Sequence, residues 1–464
     1  MSASTPSAAP RSGLLHKLGL HRRELRAWAM YDWANSAMVA VIMTAIFPIF
    51  FVRVAGAGMD PARATQSYAT ATTVGLAIIA LLAPLLGTIA DYVAVKKRML
   101  GTFMGVGVVA VACMYFIGHG DLWLASLLFI VANIGVNGSF VFYESLLPHV
   151  AREDELDRVS TAAYALGYVG GGLLLALNLA WILFPGAFGL PSGEALSPTE
   201  QTLPTRLAFV SVAVWWTVFA IPLFRHVPEP PVRLESDEER GQSPTRVALA
   251  RLAETFRELR GYREAFLMLL AFLIYNDGIG TIIRMATAYG TELGIAENQL
   301  ILAILLVQFV GIPFAFAFGA LAGKIGAKRC VFIGLAAYCL ISVLGYFMRD
   351  GGDFLVLAML VGMVQGGTQA LSRSLFASMI PRHKSGEFFG FWGVFEKFAG
   401  ILGPLIFTLT IALTGTSRNA ILAIIGFFLV GGALLFFVDV ERGQRLARAA
   451  EAAAGLPSPG APVV

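Results

Sequence analysis

Ionisable and amide side chains stand inside stretches that are otherwise almost wholly apolar, and they recur at helical spacing. Gln365, Gln369 and Arg373 follow one another at i, i+4 and i+8, which places all three on one helix face. Asn133, Asn137 and Glu144 repeat the pattern over three turns, Asp277, Thr281 and Arg284 share a face in another stretch, and Asp32 and Asn35 stand in a fourth. A charge at membrane depth costs roughly 2.5–3.5 kcal/mol even on the lenient insertion scale, so such groups must face a bundle interior or a wet cavity. A cavity lined by both signs of charge would suit a zwitterionic or mixed-charge organic solute. Arg373, Arg284 or Lys397 would meet its carboxylate and Asp32 or Asp277 its amine. Either carboxylate could instead carry a coupling proton. The candidates for solute or proton contact are therefore Asp32, Asn35, Asn137, Asp277, Arg284, Gln365, Gln369, Arg373 and Lys397. Glu396 adjoins Lys397 but cannot share its helix face.

Positioning these groups takes membrane-crossing elements. The 464 residues are 57% hydrophobic and 14% charged, with a mean hydropathy of +0.72, more apolar surface than a soluble core could bury. A crossing helix needs about 20 mostly apolar residues. Spans are expected near 27–52, 68–90, 99–118, 121–145, 159–184, 206–224, 264–289, 298–322, 330–348, 353–379, 387–413 and 418–438. Continuous apolar runs predict helices rather than the alternating strands of a barrel, and 49 glycines suit close helix packing. Of the 34 Lys and Arg residues, 26 fall on the amino-terminal side of this layout, 5 on the other side and 3 inside spans. That bias predicts a multi-pass plasma (inner) membrane protein with both termini cytoplasmic. It also accounts for the net charge of +4 and pI near 9.0 without a nucleic-acid partner.

The expected organisation is a cytoplasmic segment 1–26 that is not cleaved, a six-helix bundle 27–225, a cytoplasmic linker 226–262, a second bundle 263–439 and a partly disordered cytoplasmic tail 440–464. Within the linker, Leu249, Leu252, Phe256 and Leu259 share one face and predict an interfacial helix. The halves repeat: Gly87 to Asp91 followed by Lys96-Lys97-Arg98 returns 232 residues later as Gly319 to Gly323 followed by Lys324 and Lys328-Arg329. Tyr31-Asp32 and Tyr275-Asn276-Asp277 are a second matching pair, and Ser145 to Pro148 with Ser374 to Pro381 a third, all in one order.

The loop Gly87-x-x-x-Asp91-x-x-x-x-Lys96-Lys97-Arg98 resembles the signature between the second and third helices of major facilitator transporters, although Tyr92 and Ala94 stand where Arg and Gly are common and Gly323 replaces the acid in the second copy. Ala27-Trp28-Ala29-Met30-Tyr31-Asp32-Trp33-Ala34-Asn35-Ser36-Ala37, Asp157-Arg158-Val159-Ser160, Gln369 to Leu375, and Lys397 to Pro404 are similar to the autophagy-related vacuole effluxer family, which includes fungal vacuolar amino-acid exporters and bacterial relatives. The resemblance implies an all-α fold of twelve transmembrane helices in two pseudo-symmetric six-helix bundles, with the first, fourth, seventh and tenth lining a central cavity. It implies a cytoplasmic gate, for which Gly87, Asp91, Lys96, Lys97, Arg98, Glu144, Lys324, Lys328 and Arg329 are the candidates. The expected function is a secondary active or facilitative transporter of a small organic solute, an amino acid or other zwitterion, working by alternating access and in the efflux direction, as a monomer with a proton or sodium ion as the candidate coupling ion.

Other readings stay beside these. Glu144 and Arg373 either contact solute or pair as a gate, and Asp32 either faces the cavity or caps its helix. Trp28, Trp33, Trp215 and Trp216 read as interface anchors, and Asn178 as a join between helices. The six histidines fall in loops or tails without metal spacing, the three cysteines lack it too, and Gly319-x-x-x-Gly323-Lys324 is a residue short of a phosphate loop. No enzyme, metal or cofactor is expected. An amphiphile or lipid translocator, or a solute sensor on the same scaffold, remains the alternative.

Overall fold

Backbone polar groups in hydrocarbon must be satisfied within their own segment or in a closed barrel, and this chain does so with helices. The computed structural model describes residues 13–59, 61–193, 196–231, 261–293, 295, 297–398, 402–414 and 417–454. The first half contains α1 (Arg23–Ala55), α2 (Pro61–Val93), α3 (Lys96–Cys113), α4 (Leu122–Ser145), α5 (Leu156–Leu183) and α6 (Pro198–His226). The second contains α7 (Arg263–Glu292), α8 (Glu297–Ile325), α9 (Ala327–Phe347), α10 (Gly351–Ser378), α11 (described over Ser385–Phe398 and Leu402–Thr414) and α12 (Ser417–Ala423 and Ile425–Phe436). Eleven spans among the described residues are long and apolar enough to cross a membrane. α11 completes the twelve-helix fold.

The boundaries differ from the sequence expectation where local chemistry was overlooked. α6 starts at Pro198 rather than near 206 because Ser197 and Glu200 form a reciprocal capping box, with proline at the first helical position. In α1 the stretches Met38–Ala45 and Phe51–Ala55 are π-helical, and the Thr44 hydroxyl donates to Val39 O at 2.9 Å. The tail is not structureless throughout. A further helix, α13 (Val440–Ala453), begins at Asp439, whose side chain accepts the Arg442 N–H. Residues 455–464 and the predicted interfacial helix of the linker lie outside the described residues.

Both described ends sit on one face of the bundle. Arg22 and His21 reach Glu155 in the turn before α5, while Arg448 of α13 bonds Glu153 of that same turn at 3.0 Å. Arg382 donates through its backbone N–H, Nε and a terminal nitrogen to the Glu451 carboxylate, at 2.8–3.0 Å, and so straps α13 down. Partial burial pushes the Glu155 carboxyl up, but the Arg152 N–H and the Arg22 guanidinium outweigh it and hold it below the usual range.

The halves meet through matching crossings. A Cβ on Gly87 of α2 would lie 2.1 Å from the Gly386 carbonyl oxygen of α11, and one on Gly319 of α8 would lie 2.1 Å from Thr161 Oγ1 of α5. Only a residue without a side chain permits either approach. Gly87→Val should therefore force α2 and α11 apart. A loss of about 1–3 kcal/mol in stability, read as a lower thermal midpoint of the purified protein, is expected; an unchanged midpoint would refute the crossing.

Candidate functional site

Between the halves lies a cavity of about 720 Å³. Its floor is polar: Arg373, Gln369 and Gln365 from α10, Asp32 and Ser36 from α1, and Tyr164 and Tyr168 from α5. From there it runs along α1, α7, α8, α9 and α10 toward Pro48, Tyr289 and Met348, away from the face that holds the chain ends. Its walls are largely apolar, with Ile283, Met285, Ile304, Val307, Ile341 and Leu357 among the lining residues.

Arg373 organises the floor. It is 1% exposed, and as a permanently charged fork it must be satisfied where it stands. Nε donates to Ser160 Oγ at 3.0 Å and a terminal nitrogen to Ser160 O at 3.1 Å, while Ser160 Oγ in turn donates to Ala370 O at 2.8 Å. Asp32 Oδ2 stands 3.4 Å from both terminal nitrogens and Glu144 Oε1 3.9 Å from one. Three rings surround the guanidinium, Tyr164 at 4.7 Å, Trp28 at 5.1 Å and Tyr143 at 5.8 Å to centroid. These partners come from α1, α4 and α5, so one arginine of the second half is bound by three helices of the first. Trp28, expected at the lipid interface, is instead fully buried, stacked on Tyr143 with Nε1 donating to Tyr143 O at 2.9 Å. Trp216 is also fully buried, and Trp33 stacks on Trp215.

Of the candidate contact residues, Asp32, Gln365, Gln369 and Arg373 line the cavity. Gln369 Nε2 donates to Asn276 Oδ1 at 3.3 Å, and Gln365 Oε1 is buried with no donor among the described residues. Asn35 is fully buried but outside the lining, and Asn137 is spent on its own helix, donating to Asn133 O and Oδ1 at 2.8 and 2.6 Å. Asp277 is not among the described residues that line the cavity. Its Oδ2 accepts the Gly403 N–H of α11 at 2.7 Å, a buried tie between α7 and α11. The side chains of Arg284 and Lys397 lie outside the described structure.

Below the floor, nearer the chain-end face, a second polar layer closes the gap. Asp91 pairs with Lys96 at 2.7 Å and accepts the Glu387 N–H, at the start of α11, at 2.9 Å. Lys96 Nζ also donates to Ser385 Oγ at 2.7 Å and to His149 Nε2 at 3.1 Å, and Ser385 Oγ donates to Ser145 O at 2.9 Å. A third tie crosses the halves where Ser374 Oγ donates to Asp157 Oδ1 at 2.6 Å. The other gate candidates do not join this layer. Lys97 stays within the first half, donating to Phe224 O and, through its backbone, to Glu229. Lys328 donates to Phe436 O and Val438 O at the end of α12, and Arg98, Lys324 and Arg329 are exposed. Sequence reasoning missed Ser160, Tyr164, Tyr168, His149 and Ser385. The signal for the first three was present in the Ser160 to Tyr168 run, which falls on α5 at helical spacing beside a known charge stripe.

Two six-helix halves around a shared polar-floored cavity, sealed at one face by an acid–lysine layer, define a transporter of the major facilitator type. The chain belongs to the family described as "Vacuole effluxer Atg22 like", which matches residues 20–448. It is 38% identical over 428 residues to the uncharacterized MFS-type transporter YxiO of Bacillus subtilis (strain 168), covering 90% of this chain and 95% of that one. Autophagy-related protein 22 of Yarrowia lipolytica is 28% identical over 318 residues, 62% of this chain and 51% of the relative. The fold is also that of the proton:xylose symporter XylE, with a TM-score of 0.68, 14% identity, and 91% and 98% of the two chains covered.

The Asp277 geometry generates a prediction that separates scaffold from site. Asp277→Ala should lower stability by about 2 kcal/mol through loss of the buried tie, read as a fall in thermal midpoint, and leave the KM for solute unchanged. A raised KM with normal stability would put Asp277 back in the cavity.

Proposed function

We propose that this protein is a secondary transporter of a zwitterionic organic solute, best matched by an amino acid with an apolar side chain, and that it works by alternating access. The observation that carries this reading is the Arg373–Asp32 pair on the cavity floor, held at 3.4 Å. A well-made guanidinium–carboxylate contact is about 2.7–2.9 Å. The internal pair is therefore loose, and a solute presenting its own carboxylate to Arg373 and its own ammonium to Asp32 would exchange one long contact for two close ones. Gln365 Oε1 offers a further acceptor to an N–H donor. The apolar walls then take an apolar side chain.

The two layers on the chain-end face support an outward-facing state, in which the solute meets the floor from the opposite side and leaves after both layers part. The description of the family as effluxers supports export as the working direction. The Lys and Arg bias supports chain ends in the cytoplasm and residence in the inner membrane. The apolar majority of the wall also favours a second reading, an amphiphile with a charged headgroup, which would use the same floor.

Purified protein in vesicles tests this. Flux of leucine-like solutes should exceed that of sugars or of acidic amino acids. Gln369→Ala should raise KM about tenfold, as expected for one lost polar contact, and Arg373→Lys, which keeps the charge but loses the fork, should reduce flux at least about a hundredfold. Normal flux in both variants would overturn the site. Transport of a single-chain amphiphile with no amino-acid flux would select the second reading.

A further inference from the structure

Among the described groups that the solute site leaves unused, His149 has the most specific surroundings. It lies in the short helix Leu147–Val150 that follows α4, and it is partly exposed at the chain-end face. Its Nε2 is 3.1 Å from Lys96 Nζ and 3.0 Å from Ser385 Oγ. Ser385 belongs to the second half and Lys96 to the first, so the imidazole sits in the joint that the second polar layer makes.

The Lys96 contact favours one form of the ring, while the role of the same nitrogen toward Ser385 Oγ follows the tautomer. An ammonium only donates hydrogen bonds, so a nitrogen 3.1 Å from Lys96 must accept, and only the neutral imidazole has an accepting nitrogen. A proton on Nε2 would turn it into a second donor aimed at a buried cation. The charged groups facing it make that worse: Lys96 from α3, and Arg382 and His383 from the turn before α11, are basic. Asp91 from α2 is paired with Lys96 and with the Glu387 N–H, and Glu387 is itself fully buried at the start of α11. Among the described residues, no carboxylate lies within bonding distance of the His149 ring.

We infer that His149 is a proton-binding site that releases the chain-end seal: uptake of one proton on Nε2 from water on that face breaks the Lys96 contact, loosens Lys96 from Ser385, and lets the halves part there. The neutral ring holds the seal shut and the imidazolium opens it. Acidification of the compartment at the chain-end face thus favours the state open to that compartment. This rests on the alternating-access reading but requires no particular solute.

The test reads conformation directly, without solute. Spin labels at Arg98→Cys and Lys324→Cys, both exposed and on opposite halves, are placed in a chain lacking Cys113, Cys330 and Cys339, and the distance distribution is followed between about pH 5 and 8, where histidine charge changes. In the parent the open-to-closed ratio should rise with acid, by up to about tenfold per pH unit, the limit for one linked proton. His149→Gln, which keeps an acceptor but cannot take the proton, should remain closed and flat across the range. His149→Arg should be open throughout. Asp91→Asn opens the layer independently of the imidazole and serves as the reference for the open distance. A pH response retained in His149→Gln overturns the inference, as does a flat parent that still opens with Asp91→Asn. If neither acid nor Asp91→Asn changes the distance, the alternating-access reading falls with it.

Discussion

A guanidinium that cannot lose its proton is buried where the halves meet, and much of the central packing follows from having to house it. Isolated, such a charge would cost several kcal/mol even after relaxation. Arg373 avoids that cost by drawing on α1 for Asp32 and Trp28, on α4 for Glu144 and Tyr143, and on α5 for Ser160 and Tyr164. Every one of these partners belongs to the opposite half. Separation of the halves at this level therefore strands the charge unless something replaces the partners. A site that needs a replacement counter-charge in order to open is a site that responds to a charged ligand.

The second layer obeys the same logic with a different cation. Lys96 has three donors, and Asp91, Ser385 and His149 use them. Between the two layers the helices cross at glycine, Gly87 against Gly386 and Gly319 against Thr161. Interdigitated side chains would have to unlock before the helices could move, whereas smooth crossings let packed helices slide. Polar contacts and close glycine crossings thus both contribute to closure of this face.

How much of this the sequence displayed depended on whether the relevant partner was local. The α10 stripe was legible because Gln365, Gln369 and Arg373 are spaced by the helix itself. Asp277 was read as a cavity acid from its own helix alone, because its partner, the Gly403 N–H, lies 126 residues away on α11 and no local spacing announces it. α13 was hidden by its polar composition, since its order comes from Asp439, Glu264 and the distant Arg382–Glu451 clamp. Trp28 looked like an interface anchor because aromatic residues near a span end usually are, yet it was recruited to cover Arg373. His149 follows a proline at a helix end and reads as a loop residue until α3 and α11 are brought beside it.

On the proposed reading, loaded and empty carriers both cross the same barrier, and the floor accommodates each. Without solute, Arg373 retains Asp32 as its carboxylate, at a separation long enough to be replaced. On the proposed reading a zwitterion brings a carboxylate and an ammonium together, so Arg373 changes partner while Asp32 gains one, and neither charge is left bare in either state. A solute with only a carboxylate would displace Asp32 from the arginine and leave it unpaired beside apolar walls, at a cost of several kcal/mol. A solute with only an amine would find Asp32 already engaged. Selectivity for paired opposite charges then needs no dedicated pocket for each end. It follows from the energy of leaving one member of an internal ion pair without a partner.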